Sequence, residues 1–373
     1  MQFRDLGTQY IKLKSEIDAG IQTVVKSGKF IFGPQVKELE GELAAYVGRK
    51  HCISCANGTD ALELVLRAWG IGPGDAVFVP AFTFMSTAEV VALVGATPVF
   101  TDICEATFNI DAVSLENAIA KTVSEGKLKP RAIIPVDLFG QPADYDKILP
   151  IAEKYGLKVL EDGAQGFGGD VRGKLACSFG DASTTSFFPA KPLGCYGDGG
   201  SIFTDDDSVA ALIRSFCVHG KGSEKYENVR IGRNSRLDTL QAAILLPKLR
   251  AFRDFELDAV NQAASWYTER LADSGLVTPS VLPGFRSSWA QYSVLCADEE
   301  QRNALQAKLK AQGIPAMVYY PRPLHLQKAF ADLGYVVGDL PVAESACHRV
   351  LALPMHPYLD QATIEQIVTA IKA

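Results

Sequence analysis

His51-Cys52-Ile53-Ser54-Cys55-Ala56 runs without a break into Asn57-Gly58-Thr59-Asp60-Ala61-Leu62-Glu63-Leu64. The first six residues form an apolar run that reads as a strand, and from Ala61 the apolar residues recur at helical spacing as far as Trp69. A strand that passes into a helix through Asn-Gly-Thr-Asp leaves free backbone N–H groups at the turn. The helix dipole adds to them, so the turn can receive an anion such as a phosphate. The same residues also make an ordinary turn and helix cap. Neither the G-x-x-x-x-G-K-[ST] spacing of a nucleotide-triphosphate loop nor the G-x-G-x-x-G of a dinucleotide site is present here.

Outward from this unit the same alternation repeats. Strands are expected at residues 52–56, 76–80, 98–102, 132–137, 158–162, 183–188 and 201–204, with helices at 61–69, 87–93, 115–119 and 146–155 between the first five. This predicts an α/β fold with a mostly parallel sheet between helices. Beyond residue 238 the pattern changes to a long helical region, 238–273, followed by strands at 292–295 and 317–320 and a helix at 301–312. The expected organisation is a large domain over residues 1–255 and a smaller C-terminal α+β domain over 256–373. In open α/β sheets ligands bind beyond the carboxyl ends of the strands.

A chain of 373 residues with 47% hydrophobic and 21% charged residues has the composition of a folded globular protein. Its net charge of -6 argues against a nucleic-acid partner, because such partners reward clustered Lys and Arg. No basic start leads into an apolar run, and no apolar run is long enough to span a bilayer, so no membrane association is expected and the cytoplasm is the expected compartment. The eight cysteines read as buried thiols. Cys52 and Cys55 form a C-x-x-C, but on a strand an offset of three puts the two thiols on opposite faces, and no second pair completes a metal site. No metal is expected.

Two further stretches carry chemistry. Lys158-Val159-Leu160-Glu161-Asp162-Gly163-Ala164-Gln165 is a strand ending in adjacent carboxylates, of which only one can face a given side. A carboxylate at a buried strand end needs a cationic or hydrogen-bonding partner, and a protonated pyridine nitrogen is one; capping a loop is the plainer reading. Ser186-Phe187-Phe188-Pro189-Ala190-Lys191-Pro192-Leu193-Gly194 places a lysine among aromatic residues and glycine just past a buried strand. Desolvation there would favour the neutral, nucleophilic amine, although a lysine can also lie over apolar surface with its head in water. Phosphate anchor, carboxylate and lysine, in that order, are the parts of a pyridoxal 5′-phosphate (PLP) site.

The motifs Asn57-Gly58-Thr59-Asp60-Ala61-Leu62, Glu161-Asp162-Gly163-Ala164-Gln165, the Ser186–Gly194 stretch and Asn234-Ser235-Arg236-Leu237-Asp238 resemble the signatures of the DegT/DnrJ/StrS sugar aminotransferases, which are fold-type I PLP enzymes. The resemblance extends from Phe3-Arg4-Asp5-Leu6 to Leu353-Pro354-Met355-His356-Pro357. It implies that Lys191 holds the cofactor covalently and shuttles protons, and that Asp162 pairs with the pyridine nitrogen. Gly58, Thr59 and Ser186 would hold the phosphate, Phe84 would stack on the ring and Gln165 would lie near the phenolic oxygen. It further implies that Asn234 reaches the phosphate in a neighbouring subunit, so that the unit is a homodimer with shared active sites. The implied substrates are a nucleotide-linked keto-sugar and, as amino donor, L-glutamate. Gly163 departs from the Ala that usually follows the aspartate.

Within the family, the blocks around Cys52–Asn57, Ser186–Asp198 and Asn234–Gln241 look most like the branch acting at C-3 of UDP-2-acetamido-2-deoxy-3-oxo-glucuronate, for surface polysaccharide. Arg236 would then meet the substrate carboxylate, with an interface ion pair as its plainer role. Tyr320 and His325 are further candidates for the substrate. Tyr319-Tyr320-Pro321 stands where that branch has His-Tyr-Pro, which leaves a neutral 3-keto or 4-keto deoxysugar, carried by UDP or dTDP, as the alternative. A sugar dehydratase of the same fold would carry His in place of Lys191, a nicotinamide oxidoreductase would need the missing glycine fingerprint, and a non-catalytic sensor would bind without turnover.

Overall fold

The computed structural model describes residues 1–224 and 226–373. Two helices, Leu6–Ser27 and Pro34–Val47, precede the first strand. The carboxylate of Asp5 starts the first by accepting the Thr8 N–H at 2.9 Å, and Gly28 ends it at φ 66°, where a side chain would be strained. The strands of the large sheet are β1 (His51–Cys55), β2 (Asp75–Pro80), β3 (Thr97–Thr101), β4 (Lys129–Ile133) and β5 (Lys158–Asp162). Two short strands follow, β6 (Asp170–Val171) and β7 (Lys174–Leu175), and then β8 (Ala182–Ser186) and β9 (Gly200–Thr204) complete the large sheet.

The sheet order is β1-β9-β8-β5-β4-β2-β3. Strands β3, β2, β4, β5 and β8 run parallel, whereas β9 is antiparallel to both its neighbours. Helices Gly58–Ala68, Ser86–Leu93, Ala112–Glu125 and Tyr145–Tyr155 fill the connections and cover both faces, so every residue of β2 is buried. The parallel architecture expected from the alternation is therefore present. The expected strand 132–137 stops at Ile133, because Pro135 cannot donate into a ladder.

The expected helical region is Thr239–Ala251, one π-helical turn Phe252–Glu256, and Leu257–Leu271. After it come β10 (Phe285–Arg286), which pairs with β6, and the antiparallel pair β11 (Tyr292–Leu295) and β12 (Val350–Leu353). Helices Glu299–Ala311, Pro341–Arg349 and Gln361–Lys372 pack around that pair. The strand expected at 317–320 does not form: only Met317 bridges, to Ala352, and the chain then turns so that Tyr319 and Tyr320 line a cavity ahead of Pro321.

One apolar cluster joins Leu39 and Leu43 through Leu245 and Leu249 to Tyr292 and Ile367, so residues on either side of 255 share packed surface. Cys52 belongs to this cluster while Cys55 packs with Ile53, Leu62 and Val65 in a second, which puts the two thiols on opposite sides of the sheet. All eight cysteines are free. Among the described residues no group of His, Cys, Asp and Glu is placed to hold a metal, and no helix is long and apolar enough to cross a membrane.

Candidate active site

A cavity of about 620 Å³ opens at the carboxyl ends of the parallel strands, and the motif residues converge on it. At one end lies the start of helix Gly58–Ala68, where the Asn57 side chain accepts the Asp60 N–H at 2.7 Å. That cap leaves the Gly58 and Thr59 N–H groups without intrahelical partners, at the positive end of the helix dipole. A Cβ on Gly58 would come within 2.8 Å of the Ser186 Cβ, so only glycine lets the helix start and the Ser186 hydroxyl close on one small volume.

Asp162 ends β5 and points into the cavity. Its Oδ2 accepts the Thr87 hydroxyl at 2.9 Å and its Oδ1 accepts the Ala164 N–H at 3.2 Å, but no cation pairs with it among the described residues. Burial raises its pKa above the ordinary carboxylate value, opposed by the Thr87 and Ala164 hydrogen bonds and by the charge of Lys191. Glu161 faces the other side of the sheet. There its oxygens accept the Cys177 and Phe179 N–H groups at 2.5 and 2.7 Å, and burial beside Asp137 raises its pKa well above the usual range. The alternation of the strand thus leaves Asp162 as the carboxylate of the cavity.

Lys191 stands in the loop between β8 and β9, half-buried at the cavity wall. Loss of solvation lowers its pKa, partly offset by the charge of Asp162 and assisted by that of Arg4. The loop is folded back on itself, with Lys191 N–H donating to the Phe188 carbonyl at 2.9 Å and Cys195 N–H to the Phe187 carbonyl at 2.8 Å. Phe84 lines the same cavity, tilted against the Tyr320 ring at 6.3 Å between centroids, yet is 53% exposed, so part of its aromatic surface faces the open cavity. Gln165 is held by the Phe139 N–H at 2.7 Å and donates to the Tyr320 hydroxyl at 3.1 Å. The structure therefore brings Gly58, Thr59, Phe84, Asp162, Gln165, Ser186, Lys191 and Tyr320 to one cavity.

Three anticipated residues lie elsewhere. Asn234 is exposed and Arg236 half-buried, on a segment fixed to helix Gly58–Ala68 by Arg233, which pairs with Asp60 at 3.2 Å and with Glu63. Neither lines this chain's own cavity, and Arg236 pairs with no carboxylate among the described residues. His325, expected at the substrate, is instead fully buried against Phe100 and Tyr335, with Nε2 3.1 Å from Glu344. One residue escaped the sequence reading: Thr87, in the first turn of helix Ser86–Leu93, whose hydroxyl donates to Asp162; Tyr319, singled out only as a departure from the uronate branch, also lines the cavity.

A buried carboxylate with no ion-pair partner among the described residues, backbone donors where a side chain would not fit, a half-exposed aromatic ring and a desolvated lysine together fit PLP. Sheet and cavity define the class: a fold-type I PLP enzyme. The profile of the DegT/DnrJ/EryC1/StrS aminotransferase family matches residues 12–372. The chain is 50% identical to the UDP-2-acetamido-2-deoxy-3-oxo-D-glucuronate aminotransferase of Pseudomonas aeruginosa, covering 100% of this chain and 99% of that protein. It is 41% identical to the UDP-N-acetyl-3-dehydro-alpha-D-glucosamine 3-aminotransferase of Acidithiobacillus ferrooxidans, covering 99% and 96%. A crystal structure of a DegT DnrJ EryC1 StrS aminotransferase from Brucella abortus superposes with a TM-score of 0.96 at 51% identity, covering 100% of this chain and 98% of that one. The chain belongs to the DegT/DnrJ/EryC1/StrS family and is a PLP-dependent aminotransferase.

Proposed function

We propose that the protein moves the amino group of L-glutamate to C-3 of UDP-2-acetamido-2-deoxy-3-oxo-glucuronate in a cytoplasmic homodimer with shared sites, for surface polysaccharide. The observation that carries the acidic sugar is Arg236, a half-buried guanidinium that pairs with no carboxylate among the described residues, on the segment next to the exposed Asn234. A planar fork of donors without an ion-pair partner among the described residues would suit a uronate carboxylate reaching in from a neighbouring site. The full-length likeness to a uronate aminotransferase supports this reading.

When bound, PLP supplies an electron sink for the bond changes at the donor's α-carbon. The chain's residues divide the remaining tasks. Gly58 and Thr59 N–H with the Ser186 hydroxyl bind the phosphate, and Phe84 covers the ring. Asp162 would hold a proton on the ring nitrogen, and a cation beside it would oppose the rise in pKa that burial imposes. Gln165, fixed by Phe139 N–H and Tyr320, orients the phenolic side. Lys191, desolvated and so readily neutral, would take the proton from the donor's α-carbon in the first half of the reaction and deliver one to C-3 of the sugar in the second.

A neutral 3-keto sugar is the second reading, favoured by Tyr319 on the cavity wall where the uronate branch carries His. A panel of UDP- and dTDP-keto-sugars with glutamate, run on the parent and on Arg236→Ala, separates the two. The uronate should be preferred by the parent, and the variant should lose that preference by about 1–3 kcal/mol, the worth of a charge-assisted hydrogen bond. Equal turnover of neutral and acidic sugars by the parent defeats the uronate reading.

A further inference from the structure

Behind Lys191, on the side away from the main cavity, lies a second, small cavity of about 20 Å³ whose walls include Arg4, Lys191, Glu256 and Tyr358. Arg4 belongs to the beginning of the chain. Its Nη2 donates to the carbonyl of Lys191 at 3.0 Å, and its Nη1 to the carbonyl of Met355 at 3.4 Å. The neighbouring Phe3 carbonyl accepts the Met355 N–H at 3.2 Å, so this first segment is tied to both the lysine loop and the C-terminal part of the chain. Three residues past Lys191, the Gly194 carbonyl accepts the ammonium of Lys248, a lysine only 1% exposed in helix Thr239–Ala251.

A buried ammonium and a guanidinium are costly unless hydrogen bonds and a counter-charge offset their lost hydration, and here both are directed at backbone carbonyls of or beside the lysine loop. Their counter-charge is Glu256, 3% exposed in the π-helical turn, whose carboxylate also accepts the Gln9 amide at 2.9 and 3.0 Å and the Tyr358 hydroxyl. The loop they hold has no strand or helix of its own to fix it. Gly194 is pressed so closely on the Phe188 and Pro189 carbonyls that a Cβ has no room.

We infer that Arg4 is a positioning residue for Lys191, and that with Lys248 it forms a cationic brace which fixes residues 191–194 from behind and so places the reactive amine. This rests on the reading of Lys191 as the cofactor lysine. Electrostatics act in the same sense. The charge of Arg4 is among the causes that lower the Lys191 pKa, after burial, and burial takes Lys248 down to about 8 and Arg4 to about 10. The groups facing the pair are Asp162 in front of Lys191, and Glu256, Tyr358, His356 and Asp5 around Arg4.

The test compares Arg4→Ala, Arg4→Gln and Arg4→Lys with the parent. In the cofactor-free proteins, Lys191 is labelled competitively with acetic anhydride across pH and quantified by peptide mass spectrometry; PLP affinity is measured by equilibrium dialysis. Arg4→Ala and Arg4→Gln should shift the labelling of Lys191 to higher pH and weaken PLP binding about ten- to a hundredfold, and Arg4→Lys should restore most of both. Arg4→Gln keeps a donor and gives the reading if Arg4→Ala does not fold. Labelling and PLP affinity equal to the parent in a folded neutral variant overturn the brace, even if that variant is less stable. Borohydride reduction of the PLP-loaded parent followed by peptide mapping keeps the two claims apart: a tag on a lysine other than 191 overturns the cofactor assignment and the brace with it, whereas a tag on Lys191 with unshifted variants overturns the brace alone.

Discussion

Asp162 shows how a residue kept for function can work against stability. In the cofactor-free protein its carboxylate is buried with a hydroxyl and one N–H for company, and its pKa is raised. Ionisation is therefore penalised in the folded state. The penalty is absent below the ordinary carboxylate range, grows as pH rises, and is complete above the raised pKa. Asp162→Asn should thus melt with the parent at acid pH and above it at neutral pH, by calorimetry without PLP. With PLP it should lose several kcal/mol of transition-state stabilisation, because an amide cannot keep the ring nitrogen protonated. A variant within about threefold of the parent's turnover moves that role elsewhere. At this scale the sequence was readable wherever strand alternation or a strand end constrained a side chain, as for Glu161 against Asp162. It was not readable for His325, whose burial under Phe100 and Tyr335 depends on segments far apart in the chain. The Gly163 departure has a local cause: a Cβ there would meet the Cys177 Sγ at 2.5 Å and the Thr184 carbonyl at 3.0 Å.

Among the elements, the start of helix Gly58–Ala68 carries the most function for its length. Its capped turn, its dipole and the contact with Ser186 depend on residue 58 having no side chain. Gly58→Ala inserts a methyl where 2.8 Å is available, an overpacking worth about 1–3 kcal/mol. PLP affinity in equilibrium dialysis should fall by about tenfold or more, while the far-UV circular dichroism keeps its helical signal. Unchanged affinity would remove this helix start from the phosphate site. The strand–helix alternation from β1 to β9 was legible because each unit has its own period and punctuation. The strand expected at 317–320 was not, since Tyr319 and Tyr320 have strand-like composition but are drawn out of the ladder to the cavity. Helices Leu6–Ser27 and Pro34–Val47 were not anticipated, although Leu13 and Ile17 in the first and Val36, Leu39, Leu43 and Val47 in the second recur at helical spacing and are buried.

For the whole molecule, the segment carrying Asn234 and Arg236 and the loop with Phe30, Ile31 and Phe32 all lie outside this chain's own cavity. The three loop residues are 46%, 43% and 60% exposed. Exposed large apolar residues clustered on a loop fit a surface that meets another subunit. If Asn234 serves the neighbouring cofactor, activity per subunit falls on dilution below the dimer dissociation constant. A fully active monomer in sedimentation under assay conditions contradicts that assembly. The partner's contribution was suggested by a motif alone, because one chain's sequence does not state what sits against it. The central claim is that Lys191, Asp162 and the Gly58 turn form one transaminating site for a keto-sugar. Its most direct test is stepwise: the PLP-loaded protein is mixed first with L-glutamate and then, after removal of free glutamate, with the UDP-3-keto-uronate, while the cofactor's absorption is followed. The account predicts that glutamate converts the aldehyde form of the cofactor to its amine form, that the keto-sugar restores the aldehyde form with release of an amino-sugar, and that Lys191→Ala does neither. A cofactor spectrum unchanged by glutamate, or a Lys191→Ala protein that still completes both steps at the parent's rate, would contradict it.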